Sequence, residues 1–251
     1  MDARDILDHP VIGQRYFFPR REAPPAPWRV EVEGATLVGH RSRASIEPSH
    51  ATLLHFHGNG EVVADWVDGF TPALNARGLD VALAEYRGYG GSSGSPMLAT
   101  MLDDALATFD ALGEDPARVV VYGRSVGSIF GLHVAAHRKV SGLVIESGIA
   151  DVLERLDLRL DASELGVSRA ELEAAARELL DQQKKLAAAA CPLLVLHTRG
   201  DHMVDPSHAE RFAEWGGERA ELVLFDRGDH NSIHAYNGDA IVELVARFSR
   251  R

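Results

Sequence analysis

The sequence predicts an α/β fold built on a mostly parallel sheet with helices on both faces, and three observations predict it. Short apolar runs recur along the chain with helix-length segments between them. Those runs are continuously apolar rather than alternating, as strands covered on both faces are. The length of 251 residues, 45% hydrophobic and 25% charged, suits a globular chain with a sizeable core.

The elements follow in order. Residues 1–27 read as an extended N-terminal lead-in, because Pro19, Pro24, Pro25 and Pro27 crowd its second half. Trp28 to Val32 and Thr36 to His40 are β-like runs joined at Glu33-Gly34, an antiparallel hairpin at a sheet edge. Six further strands are predicted at Thr52–Phe56, Asp80–Ala84, Arg118–Tyr122, Gly142–Ile145, Leu193–His197 and Glu221–Phe225. Between the second and third of these, Met97 to Leu112 places Met101, Ala105, Leu106, Phe109 and Leu112 on one helical stripe. Residues 151–190 exceed what one crossover helix requires and read as a small helical lid of two or three short helices. They divide near Gly166-Val167-Ser168, where Ser168 followed by Glu171 is a capping-box pattern. The core is then 28–150 together with 191–251.

Composition narrows function. Twenty-six basic against 37 acidic residues give a net charge of −11, which disfavours a nucleic-acid backbone or an anionic membrane as partner. One cysteine, Cys191, supports neither an intrachain disulfide nor a thiolate zinc cluster and fits a reducing cytoplasm. The first residues lack a secretory signal pattern, and no apolar run is long enough for a stable membrane insertion.

The pattern G-x-S-x-G occurs at Gly123-Arg124-Ser125-Val126-Gly127 and at Gly90-Gly91-Ser92-Ser93-Gly94. Only the first sits between a buried strand and a helical run, Ile129 to Ala136. There a sharp turn exposes a serine Oγ above the sheet, with small neighbours admitting the strained backbone. Ser92 lies in a glycine-rich loop before Pro96, and the near match of Gly88 and Gly90 to a dinucleotide-binding pattern fails at Ser93. A serine hydroxyl needs a general base, an acid behind that base and donors for an oxyanion. The loops after the last two predicted strands supply Asp201 and His230 at the carboxyl ends of the sheet, where open α/β sheets keep their sites. Asp151 and Asp205 are alternative acids and His234 an alternative base. The oxyanion donors fall on backbone N–H groups, that of Val126 and, from the loop His57-Gly58-Asn59-Gly60-Glu61, that of Asn59. His55 and His57 lack the accompanying ligands of a metal site, so no metal is expected.

His57-Gly58-Asn59-Gly60, Tyr86-Arg87-Gly88-Tyr89-Gly90, the Ser125 motif and Gly228-Asp229-His230-Asn231 together resemble the α/β-hydrolase superfamily over residues 50 to 235. Within it they look like a subgroup that includes acyl-protein depalmitoylases and serine-aminopeptidase-like hydrolases. The resemblance implies an α/β-hydrolase fold, Ser125 as nucleophile, His230 as base, Asp201 as acid, an acyl-enzyme intermediate and no cofactor. The motifs are weak for substrate; the leading expectation is a small-molecule acyl ester or thioester, with residues 151–190 shaping the acyl pocket. Two other readings stand beside it: an amidase or aminopeptidase-like hydrolase with the same triad, and a non-catalytic hydrolase-like binding protein. Two departures are visible. His197-Thr198 stands where relatives often carry His-Gly, and the cysteine-rich N-terminus of membrane-acting depalmitoylases is lacking.

Overall fold

The computed structural model describes residues 1–250. Eight strands form one sheet: β1 (Pro27–Val32), β2 (Ala35–Ser42), β3 (Ala51–Phe56), β4 (Leu79–Ala84), β5 (Val119–Arg124), β6 (Gly142–Glu146), β7 (Leu193–Thr198) and β8 (Ala220–Phe225). Their spatial order is β1-β2-β4-β3-β5-β6-β7-β8. The first pair is the expected hairpin, with Val32 opposite Ala35 across Glu33-Gly34 and Gly34 at φ +72°. β2 runs antiparallel to β4, and every pairing from β4 through β8 is parallel.

Period-two alternation explains why the central strands carry apolar residues on both faces. In β5, Val119 and Val121 enter one cluster, whereas Val120 and Tyr122 enter the other, on the opposite face. The first cluster is closed by the helices Thr100–Asp110 and Gly127–His137 and by the 151–190 segment; the second is closed by Trp66, Phe70, Leu74 and the helix Ile233–Phe248. Among the described residues, no helix is long and apolar enough to cross a membrane.

Residues 151–190 hold the helices Val152–Asp157, Arg169–Leu179 and Gln182–Ala188, with a 3₁₀ turn at Ala162–Leu165. Gly166 ends that turn at φ +70°, and the Ser168–Glu171 capping box forms with both reciprocal hydrogen bonds.

The lead-in differs from expectation. Residues 1–27 are not extended throughout: Ala3–Leu7 and Pro10–Tyr16 are helices. Tertiary burial holds these short helices, since Ile6, Leu7, Ile12, Tyr16 and Phe17 all enter the core. Asp8 fixes them laterally by accepting from the N–H groups of Ala99 (2.7 Å) and Thr100 (3.1 Å) at the start of the helix Thr100–Asp110.

One buried charge opposes this packing. The Lys185 Nζ, on the helix Gln182–Ala188, is buried without a hydrogen-bond partner among the described residues, and burial pulls its pKa down to about 7. Because the folded pKa lies below the unfolded one, the amine costs stability fully below pH 7, and the cost is relieved as pH rises from there toward 10.5. Lys185→Met is therefore expected to stabilise the fold at pH 6 by about 2 kcal/mol, seen as a Tm rise of about 4–8 °C in a thermal melt. The gain should shrink toward pH 10; a constant or negative shift would contradict this account.

Candidate active site

Ser125 links β5 directly to the helix Gly127–His137 and holds φ at +51°, a left-handed conformation costly for a non-glycine residue. Its flanking glycines are set by contact. A Cβ on Gly127 would lie 2.1 Å from the Phe56 carbonyl oxygen, and one on Gly123 would lie 2.6 Å from the Gly127 oxygen. The turn is pinned by the Ser125 N–H donating to the Glu146 carbonyl (2.9 Å) and by the Ser128 hydroxyl donating to the Ser125 carbonyl (2.6 Å).

The structure brings Ser125, His230 and Asp201 together. His230 Nε2 lies 3.0 Å from Ser125 Oγ, and His230 Nδ1 lies 2.7 Å from Asp201 Oδ2. An ionised carboxylate only accepts, so Nδ1 carries the hydrogen and Nε2 is left to accept from the serine hydroxyl. Asp201 Oδ1 accepts from the N–H groups of Met203 (2.9 Å) and Val204 (2.8 Å). Burial alone would raise the Asp201 carboxyl, but hydrogen bonds from His197, His230 and the Val204 N–H hold it well below the usual carboxylate range. The loops after β7 and β8 meet at two glycines, where a Cβ on Gly200 would lie 2.8 Å from the Gly228 oxygen.

The alternatives are engaged elsewhere. Asp151 caps the helix Val152–Asp157, and Asp205 accepts from the Ser207 N–H (2.9 Å). His234 Nε2 lies 2.8 Å from Glu146 Oε2. Ser92 Oγ accepts from the Val38 N–H (2.9 Å) inside the fold. His55 packs among Trp66, Phe70 and Tyr122, and His57 Nε2 meets Glu85 at 2.7 Å. Among the described residues, no group of three or more His, Cys, Asp and Glu is placed to hold a metal.

Asn59 and Val126 line one cavity of about 80 Å³ with Ser125 and His230. Neither backbone N–H has an acceptor among the described residues. The loop carrying Asn59 is braced from three sides. Glu61 Oε2 accepts from the Gly58 N–H (2.8 Å), and the Tyr86 hydroxyl donates to the His57 carbonyl (2.7 Å). Asn59 Nδ2 donates to the Tyr16 carbonyl, while Asn59 Oδ1 accepts from the Phe18 N–H (2.9 Å) and the Tyr89 hydroxyl (2.8 Å). The tyrosines of Tyr86-Arg87-Gly88-Tyr89-Gly90 thus brace the His57-Gly58-Asn59-Gly60 loop, and Arg87 anchors them through both oxygens of Asp104 at 2.6 Å.

Beneath the histidine loop lies a charge network that sequence reasoning missed. Arg124 donates to the His230 carbonyl (2.8 Å), and its Nε lies 3.2 Å from both Glu61 Oε1 and Glu146 Oε1. Glu146, fully buried, also receives the Tyr122 hydroxyl and His234. Desolvation would raise its carboxyl; His234, Arg124 and Tyr122 outweigh that and bring it down to about 2. Arg124, Glu61 and Asn231 also line a neighbouring cavity of about 480 Å³ walled by Trp66, Phe70 and Val242. The signal was confined to position: Arg124 precedes the serine, and Glu146 ends a strand.

A family model described as "Serine aminopeptidase, S33" matches residues 47–163. The uncharacterized protein YfhR of Escherichia coli O157:H7 is 26% identical over 244 residues, covering 89% of this chain and 82% of that protein. Mouse alpha/beta hydrolase domain-containing protein 17C is 24% identical over 198 residues, covering 75% of this chain and 57% of its own length. Among solved structures, the Pyrococcus furiosus esterase Pf2001 superposes with a TM-score of 0.70 at 16% identity, covering 92% of this chain and 98% of that one.

Glu146→Gln tests the network. Leaving Arg124 without its buried carboxylate is expected to cost about 3–5 kcal/mol at neutral pH in denaturant unfolding. Because the folded pKa of Glu146 is depressed, its stabilisation is present above about 4.5 and lost as pH falls toward about 2. The variant's stability should accordingly fall less steeply across that window, and an identical pH dependence would refute the assignment.

Proposed function

We propose that the chain is a member of the α/β-hydrolase superfamily, a reading supported by the family-model match over residues 47–163 and by the shared fold, and that it is a serine hydrolase cleaving carboxylic esters or thioesters through an acyl-enzyme intermediate. The observation that carries the reading is the continuous relay from Asp201 Oδ2 through His230 to Ser125 Oγ, at 2.7 and 3.0 Å. Ser125 Oγ attacks the substrate carbonyl as its proton passes to His230 Nε2. The Asn59 and Val126 N–H groups receive the oxyanion, and Asp201 holds the imidazolium. Collapse breaks the bond to the leaving alcohol or thiol, which takes the proton from His230. Water then attacks the acyl-serine, giving its proton to His230, and the acid leaves with Ser125 restored. No step calls for a cofactor. We assign the reaction to the cytoplasm, where the thiol of Cys191, with burial pushing its pKa up, stays reduced.

A second reading, amide hydrolysis by the same groups, is favoured by the serine-aminopeptidase match over residues 47–163. Paired ester and aminoacyl-amide substrates separate the two.

A fluorophosphonate probe is expected to add one label, located at Ser125 by peptide mass spectrometry. Ser125→Ala should lose the label and at least ~10⁴-fold in kcat on a short 4-nitrophenyl ester, with the melting transition retained. Asp201→Asn is expected to cost up to ~10⁴-fold in kcat, because the imidazole is then held in the wrong tautomer. Labelling at another serine, or undiminished turnover in Ser125→Ala, would dismiss the mechanism.

A further inference from the structure

The helix Val152–Asp157 treats its two kinds of charge differently. Its carboxylates are matched away from the site, Glu154 by Arg211 (3.2 Å) and His208 (3.4 Å), and Asp157 by Arg169. Arg155 on the helix and Arg159, two residues past its end, are not. Arg155, and Arg159 four residues on, both line the Ser125 cavity, and among the described residues neither side chain forms an ion pair or hydrogen bond. Arg159 lies 5.2 Å over the ring of Phe18. Both act electrostatically on the buried Tyr16 hydroxyl of the same cavity.

Two features make this more than a solvated basic face. Acidic groups outnumber basic ones by 37 to 26, so matching carboxylates are in excess over the chain as a whole. Two cations lining one small cavity also repel, unless an anion lies between them. The other charges lining the cavity do not offset the pair: Glu61 is held at 3.2 Å by Arg124, itself a cation, and the buried Asp201 lies behind His230. Guanidinium groups lining one cavity complement the oxygens of a carboxylate or a phosphate.

We infer that Arg155 and Arg159 bind an anionic group carried by the substrate, a carboxylate or a phosphate, within a short reach of the scissile carbonyl. The preferred substrates are then anionic esters or thioesters. The inference rests on the hydrolase reading and specifies its substrate class.

The test compares matched esters on the full-length protein at low ionic strength. One pair is mono-4-nitrophenyl adipate against 4-nitrophenyl hexanoate, which places a carboxylate on the acyl side. The other is 4-acetoxyphenyl phosphate against 4-methoxyphenyl acetate, which places a phosphate on the leaving group. We expect kcat/KM to favour the anionic member of at least one pair by on the order of tenfold or more, chiefly through KM and declining with added salt. The double variant Arg155→Gln/Arg159→Gln should lower that ratio about tenfold, the corresponding double Lys variant should retain part of it, and Arg138→Gln, in an exposed pair with Asp110, should leave it in place. Neutral esters cleaved as well as anionic ones in both pairs, or a ratio unmoved by the double Gln variant, overturns the inference. If Ser125 is labelled by the fluorophosphonate and cleaves the neutral esters without anion preference, the substrate class alone falls. If Ser125 takes no label and neither pair is cleaved, the hydrolase reading falls with it.

Discussion

The structure turns on one steric constraint: the chain must pass from β5 into a helix directly above the end of β3, with no room between them. Gly127 meets the Phe56 and His57 carbonyls so closely that a single added carbon would lie 2.1 Å from oxygen. Ser125 accepts a left-handed backbone as the consequence, at a cost of roughly 1–3 kcal/mol. Fully buried β5 on one side and the buried helix Gly127–His137 on the other hold that conformation in place. The same contact sets the Val126 N–H beside the loop after β3, so one close approach positions both the hydroxyl and the two amides.

Around that turn, support comes from buried side chains outside the Ser125–His230–Asp201 relay. Glu85 holds His57 and accepts from the Val63 N–H at 2.9 Å, while Tyr86 and Tyr89 brace the loop between them. Arg124 ties the serine turn to the backbone of His230 and is itself held by two glutamates. Buried charges of this kind are costly to desolvate and are tolerated when each finds its partner. Here their geometric effect is evident, since they join the ends of β5, β6 and the histidine loop.

Much of this was legible in the sequence for physical reasons. Strands covered on both faces carry near-continuous apolar runs, so β3 through β7 announced themselves. A tight turn requires small residues, so the Ser125 elbow and the Gly200 and Gly228 loops left a residue signature. The short helices Ala3–Leu7 and Pro10–Tyr16 did not, because neither has the length to display a periodic stripe; both depend on burying Ile6, Leu7 and Ile12 against distant segments. Nor did the pairing of Glu146 with His234 and Arg124, which are far apart in the chain and carry no spacing to read. His230 and His234 are the same residue type one turn apart, and only the folded loops separate one facing the serine from one facing Glu146. Asn59 was read through its backbone amide alone, yet its side chain is equally constrained.

That side chain has a consequence for the whole molecule. By gripping the backbone at Tyr16 and Phe18, Asn59 ties the amino-terminal helices to the loop after β3, so that segments some forty positions apart in sequence meet beside Ser125.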